Sequence, residues 1–429
     1  MSFEKFNIKP EIIRALKEQG IVTPTLIQEK VIPLIESGKD VIGMSETGSG
    51  KTAAFGVPIL NKLVSRQGLQ VLIIVPTREL AVQISKELFK FGKYISCSIA
   101  TVYGGVSITP QIKQISQADI VVGTPGRLLD HLQRRTIDFS SLTCVVLDEA
   151  DIMVNMGFIR DIERLLNSTP KDKQIHLFGA TLSDEINRLK IKYMSQPISA
   201  QAEKHVKSEF LKQYYYDVEQ HEKFSLLVHL LKKEQTDRVI IFCSTRLMVE
   251  AITKNLREHS IRVEMIHGRL NQNRRLRIIE NFHRDRPPNI LVASAVAARG
   301  LDIKEVTHIF NYDLSRDPQE YVHRVGRTAR AGESGKAITL LSPRDHDSFN
   351  DILKHYSLKI VKLPKEQFPK LSFDDRGAYS RFRRYNNHGS SNGHRKHNQF
   401  NGHGRQGDSS HHNGSSGNRR FPRWRNNRN

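Results

Sequence analysis

Short β-branched, apolar runs alternate with segments of helical periodicity along residues 1–370, and this alternation limits the possible folds more than any other feature. The first set of predicted strands is Val41–Met44, Val71–Val75, Ser98–Val102, Ile120–Gly123, Cys144–Leu147 and Gln174–Phe178. The second set is Gln213–Asp217, Val239–Cys243, Arg262–Ile266, Asn289–Ala293, His308–Asn311 and Ala337–Leu341. Strands that alternate with helices build parallel sheets covered by helices. The sequence therefore predicts two α/β domains, joined by a polar linker from Pro197 to Glu209.

The C-terminal segment has a different composition. From Arg376 to Asn429 there are twelve Lys or Arg residues against one acid, Asp408, so this segment carries +11 of the net charge of +21. No Leu, Ile, Val or Met occurs after Leu371. A segment without apolar residues to bury cannot offset the entropy cost of ordering. We predict that residues 371–429 form a disordered basic tail.

Charge and cysteine content exclude several classes of protein. The excess of 66 Lys and Arg over 45 Asp and Glu predicts a polyanionic partner, with nucleic acid favoured over an acidic membrane surface. No apolar run approaches the ~18 residues of a membrane span, and the N-terminus lacks the apolar stretch of a secretory signal. Cys97, Cys144 and Cys243 lie far apart, which excludes a disulfide scaffold and argues against a cysteine zinc site. We expect a cytoplasmic protein without a membrane partner.

The strongest chemical motif follows the first predicted strand and reads Ser45-Glu46-Thr47-Gly48-Ser49-Gly50-Lys51-Thr52. In such a loop the backbone N–H groups and the following helix N-terminus bind phosphate oxygens. Lys51 would reach the β- and γ-phosphates, and the Thr52 hydroxyl would hold Mg²⁺. Ser45 stands where the usual pattern has glycine. The alternative interpretation is a glycine-rich turn that binds nothing.

A second motif follows the strand Cys144–Leu147 and reads Asp148-Glu149-Ala150-Asp151. A buried strand that ends in adjacent carboxylates can present one acid to Mg²⁺ and another to the attacking water. Asp148 is the predicted metal-side acid, and Glu149 is the predicted general base. Alone, two acids after a strand are more typical of a solvated loop. Together with the phosphate loop, they favour catalysis.

These four residues also spell the motif that names the DEAD-box ATP-dependent RNA helicases, and residues 1–345 resemble that family in the order and spacing of their motifs. The resemblance implies a helicase core of two tandem RecA-like parallel-sheet domains followed by the disordered basic tail. The implied boundaries are 1–29 for the Q-motif region, 30–205 for the ATP-binding domain, 206–370 for the helicase C-terminal domain and 371–429 for the tail.

The segment Gly20–Gln28 (GIVTPTLIQ) resembles the family's Q motif, with Phe3 as its isolated upstream aromatic residue. The resemblance implies that Phe3 also belongs to the cofactor-binding residues. The resemblance implies that Gln28 hydrogen-bonds adenine and makes the site selective for ATP. Ile21 stands where an aromatic residue usually stacks on the base, and Leu26 replaces the usual proline. We expect these departures to weaken adenine affinity.

Further motifs resemble the family's RNA-contact elements. Their guanidinium groups, hydroxyls and glycines suit a phosphate–ribose backbone that is followed without reading bases. The implied RNA-contacting residues are Pro76, Thr77, Arg78, Gly104, Gly105, Thr124, Pro125 and Arg127 in the first domain, and Thr245, Arg246 and Ser294 in the second. Each first-domain element, taken alone, is more typical of an ordinary βα loop.

The resemblance also assigns second-domain residues to the ATP site. His323-Arg324-Val325-Gly326-Arg327-Thr328-Ala329-Arg330 is similar to the arginine-finger motif, in which Arg327 and Arg330 would stabilise charge on the γ-phosphate. Asp302 would contact the ribose. The implied coupling residues between the ATP and RNA sites are Asp151, Gly179, Thr181 and His323. Gly179 replaces the family's usual serine, and Ala295 replaces an acid, so we expect ATPase chemistry to survive while coupling to strand separation weakens.

Three functions remain open at this stage. The first is an ATP-dependent RNA helicase that uses ATP and Mg²⁺, binds RNA and contacts ribonucleoprotein partners through its tail. The second is a non-enzymatic RNA chaperone, in which the tail binds RNA and the ATP site is weak. The third is a DNA translocase or helicase built from the same two-domain motor. Stimulation of ATPase by RNA or by DNA separates the first from the third, and ATP-independent annealing would reveal the second.

Overall fold

A computed structural model describes residues 2–45, 48–201, 211–234, 236–282, 289–294, 303, 306–315, 317–329, 334–356 and 359–375. Several predicted residues lie outside this described part: Glu46, Thr47, Ala295, Asp302, Arg330 and the tail from residue 376. Within the described part, no helix is long and apolar enough to cross a membrane.

The first domain contains a seven-stranded parallel sheet with strand order β3-β4-β2-β5-β6-β1-β7. Its strands are β1 Val41–Met44, β2 Val71–Ile74, β3 Ile99–Val102, β4 Ile120–Gly123, β5 Cys144–Leu147, β6 Gln174–Gly179 and β7 Ile198–Gln201. Its helices are α1 Pro10–Glu18, α2 Leu26–Glu36, α3 Lys51–Lys62, α4 Arg78–Phe91, α5 Thr109–Ile115, α6 Pro125–Gln133, α7 Ala150–Asn155, α8 Ile159–Asn167 and α9 Asp184–Tyr193. The helices cover both faces of the sheet. Alternate strand residues such as Val41 and Ile42 therefore enter two separate cores.

The second domain repeats this arrangement, with strand order β10-β11-β9-β12-β13-β8-β14. Its strands are β8 Leu211–Asp217, β9 Val239–Cys243, β10 Glu264–Ile266, β11 Ile290–Ser294, β12 His308–Asn311, β13 Gly335–Leu341 and β14 Val361–Lys362. Its described helices are α10 Lys223–Lys233, α11 Arg246–Glu258, α12 Gln272–Phe282, α13 Pro318–Val325 and α14 His346–Tyr356. Counted along the chain, the strands of the two sheets follow the same order.

These two parallel sheets confirm the predicted α/β fold class, but the prediction missed one edge strand of each sheet, β7 and β14. Ile198–Gln201 lies within the predicted linker, yet it pairs in parallel with β1. Val361–Lys362 pairs in parallel with β8. Both strands are short, and Ile198 and Val361 are exposed, so neither shows the apolar run of a buried strand. The linker prediction was therefore wrong for residues 198–201.

Residues 359–375 cross the second domain as a C-terminal strap. The ring of Phe373 stacks on that of Phe224, with centroids 4.9 Å apart. The Leu371 backbone N–H donates to Ser225 Oγ at 3.0 Å, and Lys254 Nζ lies 2.7 Å from Asp374 Oδ2. The sequence prediction assigned residues 371–375 to the tail, but the structure packs them on the second domain, because Leu371 and Phe373 add apolar contacts to its core.

Candidate nucleotide and nucleic-acid sites

The predicted phosphate, acid and RNA loops all follow the carboxyl ends of strands, which lie at one edge of a parallel sheet. The predicted phosphate loop and acids of the first domain follow β1 and β5, and the coupling residues Gly179 and Thr181 lie at the end of β6 and just after it. The predicted RNA residues follow β2, β3 and β4. The strand order is β3-β4-β2-β5-β6-β1-β7. The RNA loops therefore follow three neighbouring strands, the ATP and coupling loops follow the next three, and the two sets of loops meet between β2 and β5.

The phosphate loop leads directly into α3. Gly50 precedes the helix with a φ of 92°, in the left-handed region where glycine is favoured. Lys51 is buried, and its Nζ donates to the backbone oxygen of Ser45 at 2.9 Å. Ser45 Oγ and Ser49 Oγ lie 2.8 Å apart. The lysine therefore spans the loop, whose helix N-terminus provides free N–H groups for an anion.

The Q motif contacts this loop through two side chains. Thr25 Oγ1 donates to the backbone oxygen of Ser49 at 2.9 Å, and Gln28 Nε2 donates to that of Gly50 at 3.1 Å. Gln28 Oε1 accepts from the Thr25 N–H at 2.9 Å, which completes a capping box at the start of α2. Sequence reasoning did not assign a role to Thr25, although the T-x-x-Q spacing was a signal for this cap.

The predicted adenine-site aromatic residue lies in the core. Phe3 is only 2% exposed, and its ring packs edge-on against Phe6 with centroids 6.2 Å apart. Ile21 also packs against the core that contains Phe3, whereas Val22 and Leu26 are exposed. The Phe3 ring therefore packs inside the first domain, and its contact with the cofactor stays a prediction.

The predicted metal-side acid Asp148 and the predicted general base Glu149 are buried at the end of β5. Asp148 Oδ1 accepts the Glu149 N–H at 3.0 Å. Burial raises the pKa of Asp148 to about 7, the Glu149 charge adds to this shift, and Lys51 opposes it. Glu149 has a φ of 51°, and its buried Oε2 accepts no hydrogen bond from the described residues. A buried carboxylate whose charge is disfavoured and a carboxylate oxygen without a donor both suit a site that receives a cation and a water molecule.

These residues fit Mg²⁺, which prefers oxygen ligands and is commonly bound through one or two carboxylates together with substrate phosphates. The Asp148 carboxylate and the hydroxyl of half-buried Thr52, the second residue of α3, are oxygen donors of this kind.

Asp151 links the acid loop to the end of β6. Its Oδ2 accepts from the backbone N–H groups of Ala180 and Thr181 at 3.0 and 3.1 Å, and from Thr181 Oγ1 at 3.3 Å. A Cβ at Gly179 would lie 3.2 Å from Asp151 Oδ1. The Gly179 carbonyl also accepts the Ser45 N–H at 3.1 Å. The link therefore forms without a serine at position 179.

The RNA-side loops of the first domain are joined by Arg78. Thr77 caps α4, because its Oγ1 accepts the Leu80 N–H at 3.3 Å. A Cβ at Gly105 would overlap the Arg78 guanidinium, and Gly105 has a φ of 81°. The arginine therefore lies against the Gly104-Gly105 turn, and the backbone conformation favours glycine at position 105.

The other first-domain RNA candidates lie at the start of α6. Thr124 precedes this helix and Pro125 is its first residue. The Arg127 side chain is only 12% exposed, and its guanidinium donates to Gln111 Oε1 at 3.2 Å and to the Val106 carbonyl at 3.0 Å. The structure thus places Arg127 close to the predicted RNA surface, with its donors used inside the protein.

The second-domain RNA candidates lie at the ends of β9 and β11, which are neighbours. Thr245 caps α11, since its Oγ1 accepts the Met248 N–H at 3.1 Å. Arg246 Nη1 donates to Glu250 Oε1 at 2.9 Å and remains partly exposed. Ser294 ends β11 beside Cys243. These residues therefore share one edge of the second sheet.

Arg327, a predicted arginine-finger residue, is buried just beyond α13. His323 lies within this helix and is half-buried. Arg324 anchors the helix: its Nη1 donates to the Asp313 carbonyl at 2.7 Å, and its guanidinium lies 5.3 Å from the centroid of the Phe242 ring. Sequence reasoning gave Arg324 no separate role, because adjacent arginines in one motif look alike before their burial is known.

Glu79 connects the two domains directly. Its Oε1 accepts from Gln272 Nε2 at 2.9 Å and lies 2.8 Å from Arg275 Nε. Glu79 belongs to the first turn of α4, beside Arg78, whereas Gln272 and Arg275 belong to α12. The predicted site did not include this contact, since sequence spacing alone does not identify partners in separate domains.

Known protein families and relatives match both domains. The DEAD/DEAH box helicase family matches residues 25–189, and the helicase conserved C-terminal domain matches residues 222–332. The DEAD-box ATP-dependent RNA helicase CshA of Streptococcus pneumoniae serotype 4 is 43% identical over 379 residues, which cover 88% of this chain and 72% of the relative. The CshA protein of Bacillus subtilis strain 168 is 41% identical over 366 residues, covering 85% and 74%.

Solved structures show the same architecture. Saccharomyces cerevisiae Dbp5 bound to RNA and ADP BeF3 matches with a TM-score of 0.78 at 27% identity, covering 90% of this chain and 99% of that one. A DEAD box protein from Methanococcus jannaschii matches with a TM-score of 0.52 at 39% identity, covering 85% and 99%. Motifs, fold and relatives agree: this chain belongs to the DEAD-box family of ATP-dependent RNA helicases.

Proposed function

We propose that this chain is an RNA-stimulated ATPase that couples ATP binding and hydrolysis to local unwinding or remodelling of short RNA duplexes and RNA–protein complexes. The adjacency of the ATP and RNA loops along one sheet edge carries this proposal. Asp151 and Thr181 bridge the loops that follow β5 and β6, beside the seam between the two sets. RNA contacts made on one side therefore act on elements that also position the catalytic acids.

Within the first domain, the proposed roles follow from local geometry. Lys51 and the loop from Ser45 to Thr52 bind the phosphates, and Gln28 binds adenine. Glu149 orients the attacking water through the oxygen that has no described donor. Thr52 and Asp148 are the proposed Mg²⁺ ligands, and a bound Mg²⁺ would neutralise phosphate charge.

The second domain completes the site in this proposal, with Arg327 and Arg330 at the γ-phosphate and Asp302 at the ribose. Such a divided site requires the domains to approach each other before hydrolysis. The Glu79–Gln272 contact supports an approached arrangement. The higher TM-score with RNA- and ADP BeF3-bound Dbp5, despite its lower sequence identity, supports the same arrangement.

The remaining proposals concern partners and location. RNA would lie along the predicted backbone-contacting residues of both domains, with little sequence specificity. The charge of the basic tail suits RNA and ribonucleoprotein partners. A cytoplasmic location remains a proposal.

The deciding experiment is steady-state ATP hydrolysis without nucleic acid, with single-stranded RNA and with DNA of the same sequence. We expect stimulation by RNA, and a reduction in kcat of at least ~100-fold in Glu149→Gln, because that variant loses its general base. Glu11→Gln is the matched control, since Glu11 is an exposed acid of the same domain.

Each alternative gives a different result. Stimulation by DNA alone would support a DNA motor, and ATP-independent annealing without stimulated hydrolysis would support an RNA chaperone. Near-normal turnover in Glu149→Gln would remove the catalytic assignment.

A further inference from the structure

A buried polar network lies beneath the Gly104-Gly105 turn. Its centre is Gln111 of α5, which is almost fully buried. Gln111 Nε2 donates to the Tyr103 carbonyl at 3.0 Å, directly before the two glycines. Gln111 Oε1 accepts from Arg127 Nη1 at 3.2 Å. Arg127 Nη2 in turn donates to the Val106 carbonyl at 3.0 Å, directly after the glycines. The turn is therefore held at both ends.

The partners determine the orientation of the Gln111 amide. A guanidinium only donates and a carbonyl only accepts, so the side-chain oxygen must face Arg127 and the nitrogen must face Tyr103. His131 Nε2 lies 3.2 Å from the same oxygen. Since that oxygen cannot donate, the histidine must carry its proton on Nε2.

The other side of the histidine agrees with this tautomer. His131 Nδ1 lies 2.8 Å from Thr136 Oγ1, whose single hydroxyl proton serves either this nitrogen or the His131 carbonyl, 3.2 Å away. Burial lowers the pKa of His131, and Arg127 lowers it further, while Asp130 opposes the shift and Arg134 adds to it. A neutral ring with its proton on Nε2 suits the Gln111 oxygen, so the Gln111 amide and the histidine have complementary donor and acceptor roles.

We propose that Gln111 is a positioning residue of the RNA surface, acting with Arg127 to join the Gly104-Gly105 turn to the start of α6; this inference rests on the proposed function. Arg78 lies against the same turn, so the geometry of the turn determines where that half-buried cation can meet a phosphate. Arg127 acts through this clamp rather than as a phosphate ligand.

The test compares Gln111→Leu with Gln114→Leu in the full-length chain. Gln114 lies on the same short helix but is exposed, so it provides the matched control. RNA-stimulated ATPase is measured against the concentration of a single-stranded RNA of defined length. We expect Gln111→Leu to raise the RNA concentration for half-maximal stimulation about 10-fold, with kcat at saturating RNA and the KM for ATP within about two-fold, because one RNA-side geometry is lost. Gln114→Leu should match the unmodified chain.

Arg127→Lys provides a second variant that separates a clamp from a phosphate ligand. Lysine keeps the charge but cannot bridge Gln111 and Val106 in the planar arrangement of a guanidinium. We expect the same rise in the half-stimulating RNA concentration, and a double variant no worse than the poorer single variant, because residues of one unit are not additive.

The outcomes separate this inference from the proposed function. Additive effects, or a half-stimulating RNA concentration in Gln111→Leu equal to that of the unmodified chain, would overturn the clamp. A lower kcat together with a higher KM for ATP and a lower thermal midpoint would also overturn it, since these changes indicate a general packing role. Absence of RNA stimulation in the unmodified chain would instead contradict the proposed function.

Discussion

The two sheets share a strand order, yet the same position in each holds a lysine with a different environment. Lys51 is the first residue of the helix after β1, and Lys223 is the first residue of the helix after β8. Lys51 Nζ contacts one loop carbonyl, whereas Lys223 is fully buried and its Nζ lies 2.7 Å from Asp345 Oδ2 and 3.1 Å from the Tyr312 carbonyl.

The preceding loops explain this difference. Gly48 and Gly50 both have positive φ angles and leave the helix N-terminus accessible to a ligand. The loop before Lys223, residues 218–222, contains no glycine. In the second domain, Asp345, which follows β13, supplies the negative charge from within the chain. The fold thus places a cation at this point, and loop composition decides whether its partner is a ligand or a side chain.

Replacing each lysine with methionine tests whether Lys51 binds phosphate and Lys223 stabilises the fold. The largest expected effect is on ATP turnover in Lys51→Met. We expect Lys51→Met to lower kcat/KM for ATP by at least ~100-fold, because charge stabilisation at the phosphates is lost. Its thermal midpoint should stay close to that of the unmodified chain. Steady-state ATPase and thermal unfolding measure both effects. A Lys51→Met variant with unimpaired kcat/KM would end the proposed distinction between the two lysines.

Lys223→Met should instead lower the free energy of unfolding. Removing one partner leaves Asp345 charged and buried, a change that costs about 3–5 kcal/mol in comparable buried pairs. Chemical denaturation followed through the unfolding of the second domain measures this loss. Adding Asp345→Asn should recover part of it, because no unpaired charge then remains. Equal stability of the single and double variants would show that the ion pair is not the source of the effect.

A smaller effect, on the pH dependence of stability, is expected at corresponding positions in the two sheets. His176 of β6 pairs in register with Val146 of β5, and Ile338 of β13 pairs with Phe310 of β12. Both ring nitrogens of His176 are buried and accept or donate no hydrogen bond among the described residues. Burial lowers the pKa of His176 to about 3, and Lys62 adds to the shift.

The sign of the resulting pH dependence follows from proton binding. Between about pH 6.5 and pH 3 the unfolded chain binds a proton at His176 that the folded chain does not, so stability falls as the pH falls. His176→Ile should remove this contribution, worth about 2 kcal/mol between pH 6.5 and pH 5. Unfolding free energies at both pH values measure it. An unchanged pH slope in His176→Ile would assign the acid sensitivity to other groups.

Sequence patterns predicted the parts of the molecule that depend on contiguous residues. Buried runs such as Val71–Ile74 identified the inner strands, and the phosphate loop was recognisable because its glycines and lysine are adjacent. The exposed strands at residues 198–201 and 361–362 lack such runs. Nothing in the local sequence marks Lys223 as the partner of Asp345, because the two lie 122 positions apart and meet only through the strand order.

Burial also changed the interpretation of individual site residues. Phe3 and Arg127 belong to recognisable motifs, but residue type does not reveal whether a ring or a guanidinium faces a ligand or the protein. Gln111 carries no motif at all. Its proposed role follows from three polar neighbours, two from α6 and one from the turn before α5.

The Glu79 contact has a consequence for repeated cycles of ATP hydrolysis. When the domains separate, this carboxylate exchanges Gln272 and Arg275 for water, and the hydration it regains offsets much of the attraction it loses. Such a contact contributes little to the stability of the docked state. A hydrogen bond and an ion pair on one carboxylate oxygen nevertheless restrict how α12 aligns on α4. We therefore expect Glu79 to favour reproducible docking, so that the two domains would return to the same register after each release of product.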